Sequence, residues 1–455
     1  MPSKNPFLFN QSSKFKNIGT KDIRIIVYIL IAALTIDTVL NQLSGEISDF
    51  LYSPAGVPLF IFITSITIIC QLFVIQFVRD KSREIRKKNR QINTMYHAVA
   101  IFQYIIIAII IYVMIDVIIS ENYPMVSSML VTMISFGVST TLMGIFAIIF
   151  ISWYKSNHKS RSILVLIYGL SFVCVVISSL AVICIYAYMF NERMSTMVTP
   201  ASDQSFPYNE DDPHPWKEIR HTLFEIYANA DLVAFYLKWG GTAIILHHYS
   251  HKIGRVKYWI LLSLPLIYFS LLLAYDYNLF GEVSDSTIFL GIVSLNSTWG
   301  GILFYIAFML TAKNFENNER FRDYLLMAGY GFMLLFSGSQ ANLLGYAYPP
   351  WGFATMSTFG LGTFVILIGL YLSAKSIAQN EELKEEIKNS TLAESKFLHS
   401  IGTSVAEREK ILIDKALAES RVMKQEEIQE IGIAAPISEK EIKEYVKKIE
   451  ENEDK

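Results

Sequence analysis

The sequence predicts an all-α fold: a polytopic integral membrane protein of about ten transmembrane helices followed by a cytoplasmic helical tail. Three observations lead there. Of the 455 residues 52% are hydrophobic and only 18% are charged, whereas an ordinary soluble domain carries about a quarter charged residues. The charge is segregated, with short Lys/Arg-dense stretches dividing long runs that carry almost none, which is how loops and spans alternate in a membrane chain. The apolar runs also reach the roughly 20 residues that a helix needs to cross the hydrocarbon core. Net charge is −2 and gives no nucleic-acid signal.

Residues 1–22 are polar and basic, with Lys4, Lys14, Lys16 and Lys21, and read as a cytoplasmic amino-terminal segment. The first apolar run, 23–40, lacks a small-residue cleavage site and is followed by further runs, so it reads as a span and not a signal peptide. The other nine expected spans are 57–78, 95–119, 126–151, 163–189, 230–249, 259–275, 288–310, 324–346 and 351–373, which sets the membrane domain at 23–373.

Loop charge gives the orientation. The loop after the second span holds seven basic residues, Arg79, Lys81, Arg83, Arg86, Lys87, Lys88 and Arg90. Those after the fourth, sixth and eighth spans hold three each: Lys155, Lys159 and Arg161; Lys252, Arg255 and Lys257; Lys313, Arg320 and Arg322. The opposite loops hold Arg193, Lys217 and Arg220, all in one long loop. The positive-inside rule therefore places both ends in the cytoplasm of a cell-membrane protein. The long loop 190–228 falls outside, and Pro215 opens a stretch in which Trp216, Ile219, Leu223, Ile226 and Tyr227 share one side, the pattern of an interfacial amphipathic helix. Glu218, His221 and Glu225 on its other side read as a solvated face.

The tail, 374–455, turns abruptly rich in Glu and Lys. Leu383, Ile387, Leu398, Ile401 and Val405 form a stripe too irregular for a coiled coil, which is expected to pack on itself or a partner. Ser438 and Glu441 form a capping box ahead of Ile442, Val446 and Ile449. His399 lacks the acidic neighbour and the following nucleotide-binding segment of a sensor kinase.

Polar groups inside spans are costly, so each is a functional candidate. Lys238 stands midway along the sixth span and Asp231 two turns earlier on the same face. Together with Asn296, Gln340 and Asn342 it predicts a ligand-binding pocket open to the outside, with Trp239 and Trp299 as aromatic walls. Interhelical hydrogen bonding without a ligand is the competing reading. Asp37 and Asp116 stand near outer helix ends and read as interfacial. Trp239-Gly240-Gly241, Trp299-Gly300-Gly301 and Trp351-Gly352 give a weak internal echo, which duplication or close helix contacts explain equally.

His247, His248 and His251 cluster at the end of the sixth span, where His247 and His251, four apart, share a helix face as a metal pair would, with no third ligand nearby. Cys70, Cys174 and Cys184 lie in apolar runs without metal or disulfide spacing. No Walker motif or nucleophile elbow is present. No metal, cofactor or catalytic residue is therefore expected.

The run Ser395-Lys396-Phe397-Leu398-His399-Ser400-Ile401-Gly402-Thr403 and the closing Ile437-Ser438-Glu439-Lys440-Glu441 resemble a group of uncharacterised polytopic membrane proteins of archaea. The resemblance implies an archaeal setting and carries over no activity. The functional expectation is a non-enzymatic sensor or receptor that binds an extracellular small molecule and signals to a cytoplasmic protein through 374–455. A secondary transporter of a small solute and a membrane scaffold are the alternatives.

Overall fold

A long apolar run buried in lipid has no water to satisfy its backbone, so it closes its hydrogen bonds internally as helix. The computed structural model describes residues 20–42, 56–88, 90–120, 122–156, 162–192, 198–200, 217–248, 250–276, 287–315, 318–338, 349–389, 397–407 and 410. Through the first half run α1 (Thr20–Gln42), α2 (Gly56–Lys81), the short α3 (Arg83–Lys88), α4 (Arg90–Ser120), α5 (Met125–Ser156) and α6 (Ile163–Glu192). The second half holds α7 (Lys217–His248), α8 (Ser250–Ile253), α9 (Arg255–Asp276), α10 (Thr287–Lys313), α11 (Glu319–Gly338), α12 (Phe353–Met356), α13 (Phe359–Gln379) and α14 (Glu381–Asn389), then α15 over 397–407. One feature departs from all-helix: β1 (Asn122–Pro124) pairs antiparallel with β2 (Val198–Pro200), joining the α4–α5 link to the segment after α6.

Among the described residues six segments are long and apolar enough to cross a membrane: Asp22–Asn41, Gly56–Lys81, Ile92–Ser120, Val126–Lys155, Ile163–Tyr188 and Phe353–Gln379. Among the described residues the expectation of ten is met only in part. Helix α7 carries Asp231 and Lys238 besides the charges of its first turns, and α11 opens on Glu319, Arg320, Arg322 and Asp323. In α10 the apolar stretch among the described residues is Gly300–Lys313. The stretch 217–227 continues without a break into the sixth apolar run as the 32-residue α7. Trp216 lies outside the described residues.

Large apolar side chains stand on the outside of α1, α2, α4 and α5, among them Ile29, Phe62, Ile115 and Ile148. In water such a surface would be an aggregation site; in lipid it is the ordinary exterior of a span. Phe353–Gln379 is the exception, with its most apolar stretch 100% buried against 39–50% for the other five, so it is the central helix around which the bundle is arranged. Glycines bring α11 against it: a Cβ on Gly369 would stand 2.5 Å from the Ala328 amide nitrogen, and one on Gly362 would stand 2.7 Å from that of Leu335.

The bundle has a basic end, where α2, α5, α7, α10 and α13 finish and α6, α9 and α11 begin. There Lys81 pairs with Asp323 at 2.5 Å. Lys81→Met is expected to cost about 1–2 kcal/mol in a detergent melt, towards the lower part of the range for a charged hydrogen bond, because 31% of the Lys81 side chain is solvent-accessible and its charge is partly screened.

The tail stripe is corrected in its destination. Leu383, Ile387, Leu398, Ile401 and Val405 are all buried, and they pack on the bundle itself as part of one continuous core. The capping box at Ser438 lies outside the described residues.

Candidate functional site

The central helix is broken at its start. Gly352 takes φ 87°, four residues form α12, and Ser357 and Thr358 interrupt the helix before α13 begins. Irregular backbone at membrane depth persists only where protein groups replace the missing ladder, and here polar side chains from four other helices do so. Asp37 of α1 accepts the Gly352 amide at 2.9 Å, the Thr355 amide at 2.9 Å and the Thr355 hydroxyl at 2.7 Å. Asn41, one turn on, donates to the Trp351 carbonyl at 2.7 Å.

Deeper in, Gln71 of α2 donates to Ser357 Oγ at 2.7 Å. The Gln103 amide of α4 donates to Gln71 Oε1 and to the Ser357 carbonyl, both at 3.0 Å. Ser135 of α5 donates to the Met356 carbonyl and accepts the Gly360 amide. Ser139 and Thr363 meet at 2.8 Å. Asp37 is fully buried, which corrects the interfacial reading. Asp116 accepts an exposed hydrogen bond from the Ser120 hydroxyl at 3.0 Å.

Gln71, Gln103, Ser135 and Ser139 thus carry polar groups to mid-depth in the second, third and fourth apolar runs.

A second arrangement surrounds α7. Lys238 is 7% exposed, with Asp231 two turns back attracting its ammonium and Cys174 of α6 close by. Trp239 donates its indole N–H to the Leu262 carbonyl at 2.9 Å, tying α7 to α9. Thr242 donates to the Lys238 carbonyl at 2.8 Å. Its one proton being used, Thr242 Oγ1 accepts from the Tyr168 hydroxyl of α6, also at 2.8 Å. Gly241 lets the Tyr168 ring approach, since a Cβ there would meet it at 3.1 Å.

The Tyr168 ring in turn lies 5.7 Å from the ring of Phe397 in the tail. One chain of contacts therefore runs from the Lys238 backbone through Thr242 and Tyr168 to α15. Asn296 and Trp299 belong to α10, but their side chains lie outside the described residues, as do Gln340 and Asn342 entirely. The tryptophan–glycine echo resolves into unlike roles: Gly241 and Gly301 are close-contact positions, while Gly352 supplies a left-handed turn.

Helix α15 sits in the basic mouth of the bundle. Phe397 also faces Phe150 at 6.4 Å, Ser404 Oγ lies 3.0 Å from the Trp153 carbonyl, and a Cβ on Gly402 would overlap Ile377 at 2.3 Å. A void of about 10 Å³ beside it is lined by Ile245, Ala307, Phe308, Thr311, Leu325, Phe397 and Leu398. Burying Phe397, Leu398, Ile401 and Val405 is worth roughly 6–12 kcal/mol.

At the other end of the molecule, His221 lies 3.6 Å from Glu225 on the exposed face of α7. No group of three or more metal-ligating side chains occurs among the described residues.

Apolar helices around a fully buried central one, with irregular backbone satisfied inside protein, define a membrane-embedded helical protein. No protein-family profile, curated protein or solved structure matches the chain.

Proposed function

We propose that this is a ten-span, multi-pass cell-membrane protein with both ends in the cytoplasm. In this reading it acts without catalysis as a sensor or receptor. A small molecule from outside enters a pocket built on Lys238, Asp231, Trp239, Asn296, Trp299, Gln340 and Asn342. The tail, 374–455, carries the result to a soluble partner.

One observation carries the reading: α15 is built into the mouth of the bundle and touches, through Tyr168 and Thr242, the backbone of Lys238 itself. A ligand that displaces α7 changes the surface on which the tail rests, and a ligand can shift a conformational equilibrium only by such differential contact. The added spans rest on the hydrophobic length of α7, α9, α10 and α11 and on loop charge.

A second reading, transport of a small solute, is favoured by the broken central helix. Discontinuous helices at mid-depth mark substrate sites in many transporters. The hydrogen bonds of Asp37, Gln71, Gln103 and Ser135 favour the sensor, because in this state they are spent on the break itself.

The test is a thermal-shift screen of purified protein against metabolites and ions, repeated on Lys238→Ala. A ligand at a hundred times its Kd stabilises the native chain by about 2.7 kcal/mol, and the expected hit loses its shift in the variant. Hits that survive Lys238→Ala unchanged would remove the pocket from the proposal.

A further inference from the structure

We propose that residues 397–407 are a displaceable plug, an internal ligand that closes the basic mouth of the bundle and is released when α7 moves against Tyr168. The proposal rests on the sensor reading for its purpose and on geometry alone for its existence.

The mouth is a receptacle assembled from many helices. Phe150 and Trp153 come from α5, Tyr168 from α6, Ile245 from α7, Phe308 and Thr311 from α10, Leu325 from α11 and Ile377 from α13. Its two hydroxyl side chains, those of Tyr168 and Thr311, have partners outside the tail. The Tyr168 hydroxyl is held by Thr242, and Thr311 donates to Ala307 of its own helix. Departure of the plug therefore strands neither hydroxyl, and an unmade buried hydrogen bond is the usual obstacle to opening such a mouth.

The plug is shaped for close approach. Ser400 and Ser404, one turn apart, are fully buried, and Gly402 lies flat on Ile377, the small-residue arrangement that lets helices touch backbone to backbone. Its grip is ring and aliphatic contact, with the Ser404 hydroxyl shared between the Ser400 carbonyl of its own helix at 2.7 Å and the Trp153 carbonyl at 3.0 Å, whereas α12 is tied by the carboxylate and amide bonds of Asp37, Asn41, Gln71 and Gln103. Apolar contact is non-directional and weakens continuously as surfaces part, so between the two inserted helices α15 is the one built to leave.

Tyr168 supplies the trigger. Its hydroxyl follows α7 through Thr242, and its ring bears on Phe397. A turn or slide of α7 about Lys238 is delivered to the plug's first aromatic residue.

The full-length chain in lipid nanodiscs, with Cys70, Cys174 and Cys184 replaced by Ala, tests this by labelling of a single introduced cysteine with a bulky maleimide. Ser400→Cys and, as a second reporter, Ser404→Cys are expected to label at least tenfold more slowly than exposed Glu407→Cys. Phe397→Ala is expected to raise both slow rates at least tenfold while the melting temperature of the bundle stays within a few degrees. Tyr168→Phe, which keeps the ring and cuts the tie to α7, is expected to raise them as well.

Rapid labelling of both reporters in the otherwise native chain overturns the seat. Protection that persists in Phe397→Ala makes the segment a fixed part of the core. Acceleration by Phe397→Ala but not by Tyr168→Phe overturns the trigger. No ligand is needed, so a blank thermal-shift screen and a failed plug remain separate results.

Discussion

Asp37→Ala is expected to destabilise the membrane domain by roughly 2–6 kcal/mol, because it leaves the buried amides of Gly352 and Thr355 without an acceptor, at about 1–3 kcal/mol each. Both amides belong to the break before the central helix, and both bond to this one carboxylate at 2.9 Å. A detergent melt read by intrinsic fluorescence measures the loss. Asp37→Asn keeps one carbonyl acceptor but aims an amide donor at donors, so it is expected to fall between the native chain and the alanine variant. A melt of Asp37→Ala indistinguishable from the native one would mean that the break is held by something other than this clamp.

Gly369→Val is expected to be at least as damaging, through sterics and not hydrogen bonding. The first added carbon would stand 2.5 Å from the Ala328 amide nitrogen and 2.9 Å from both Ala328 Cα and the Tyr324 carbonyl oxygen. Those atoms are backbone and cannot swing aside, so α11 and α13 must separate. Overpacking typically costs about 1–3 kcal/mol where side chains can adjust, and this site exceeds that range because they cannot. Gly144→Val on α5 is the control, since no atom lies within 4 Å of a Cβ there, and it is expected to melt with the native chain. Equal melts for the two variants would contradict the close α11–α13 contact.

Hydrophobic length and loop charge made the helical membrane class legible in the sequence, since both record the solvent around a segment. The pairings of Asp37 were not legible, because its partners lie more than 300 residues away in sequence and a lone acid near a helix end looks interfacial. Gln71 and Gln103 escaped notice for a related reason: uncharged amides barely lower the hydropathy of a span. One signal could have found the break, namely the Trp351-Gly352 pair followed at short spacing by Thr355, Ser357 and Thr358, an unusually polar opening for an apolar run. In the tail, Leu383, Ile387, Leu398, Ile401 and Val405 were legible as a buried stripe. Their irregular spacing has a structural cause: Asn380 separates α13 from α14, Leu383 and Ile387 belong to α14, and the other three belong to α15, so two separate helices meet the bundle at different places.

The tail helix α15 belongs to the membrane domain at rest, its apolar residues being part of the bundle core. Hydrogen exchange of the full-length chain in nanodiscs, read by mass spectrometry on peptides spanning 397–407, tests that placement most directly. The account predicts exchange at least tenfold slower than for an unstructured peptide of the same sequence, yet faster than in α13, and a loss of that protection in Phe397→Ala. Exchange at the unprotected rate in the native chain would contradict it.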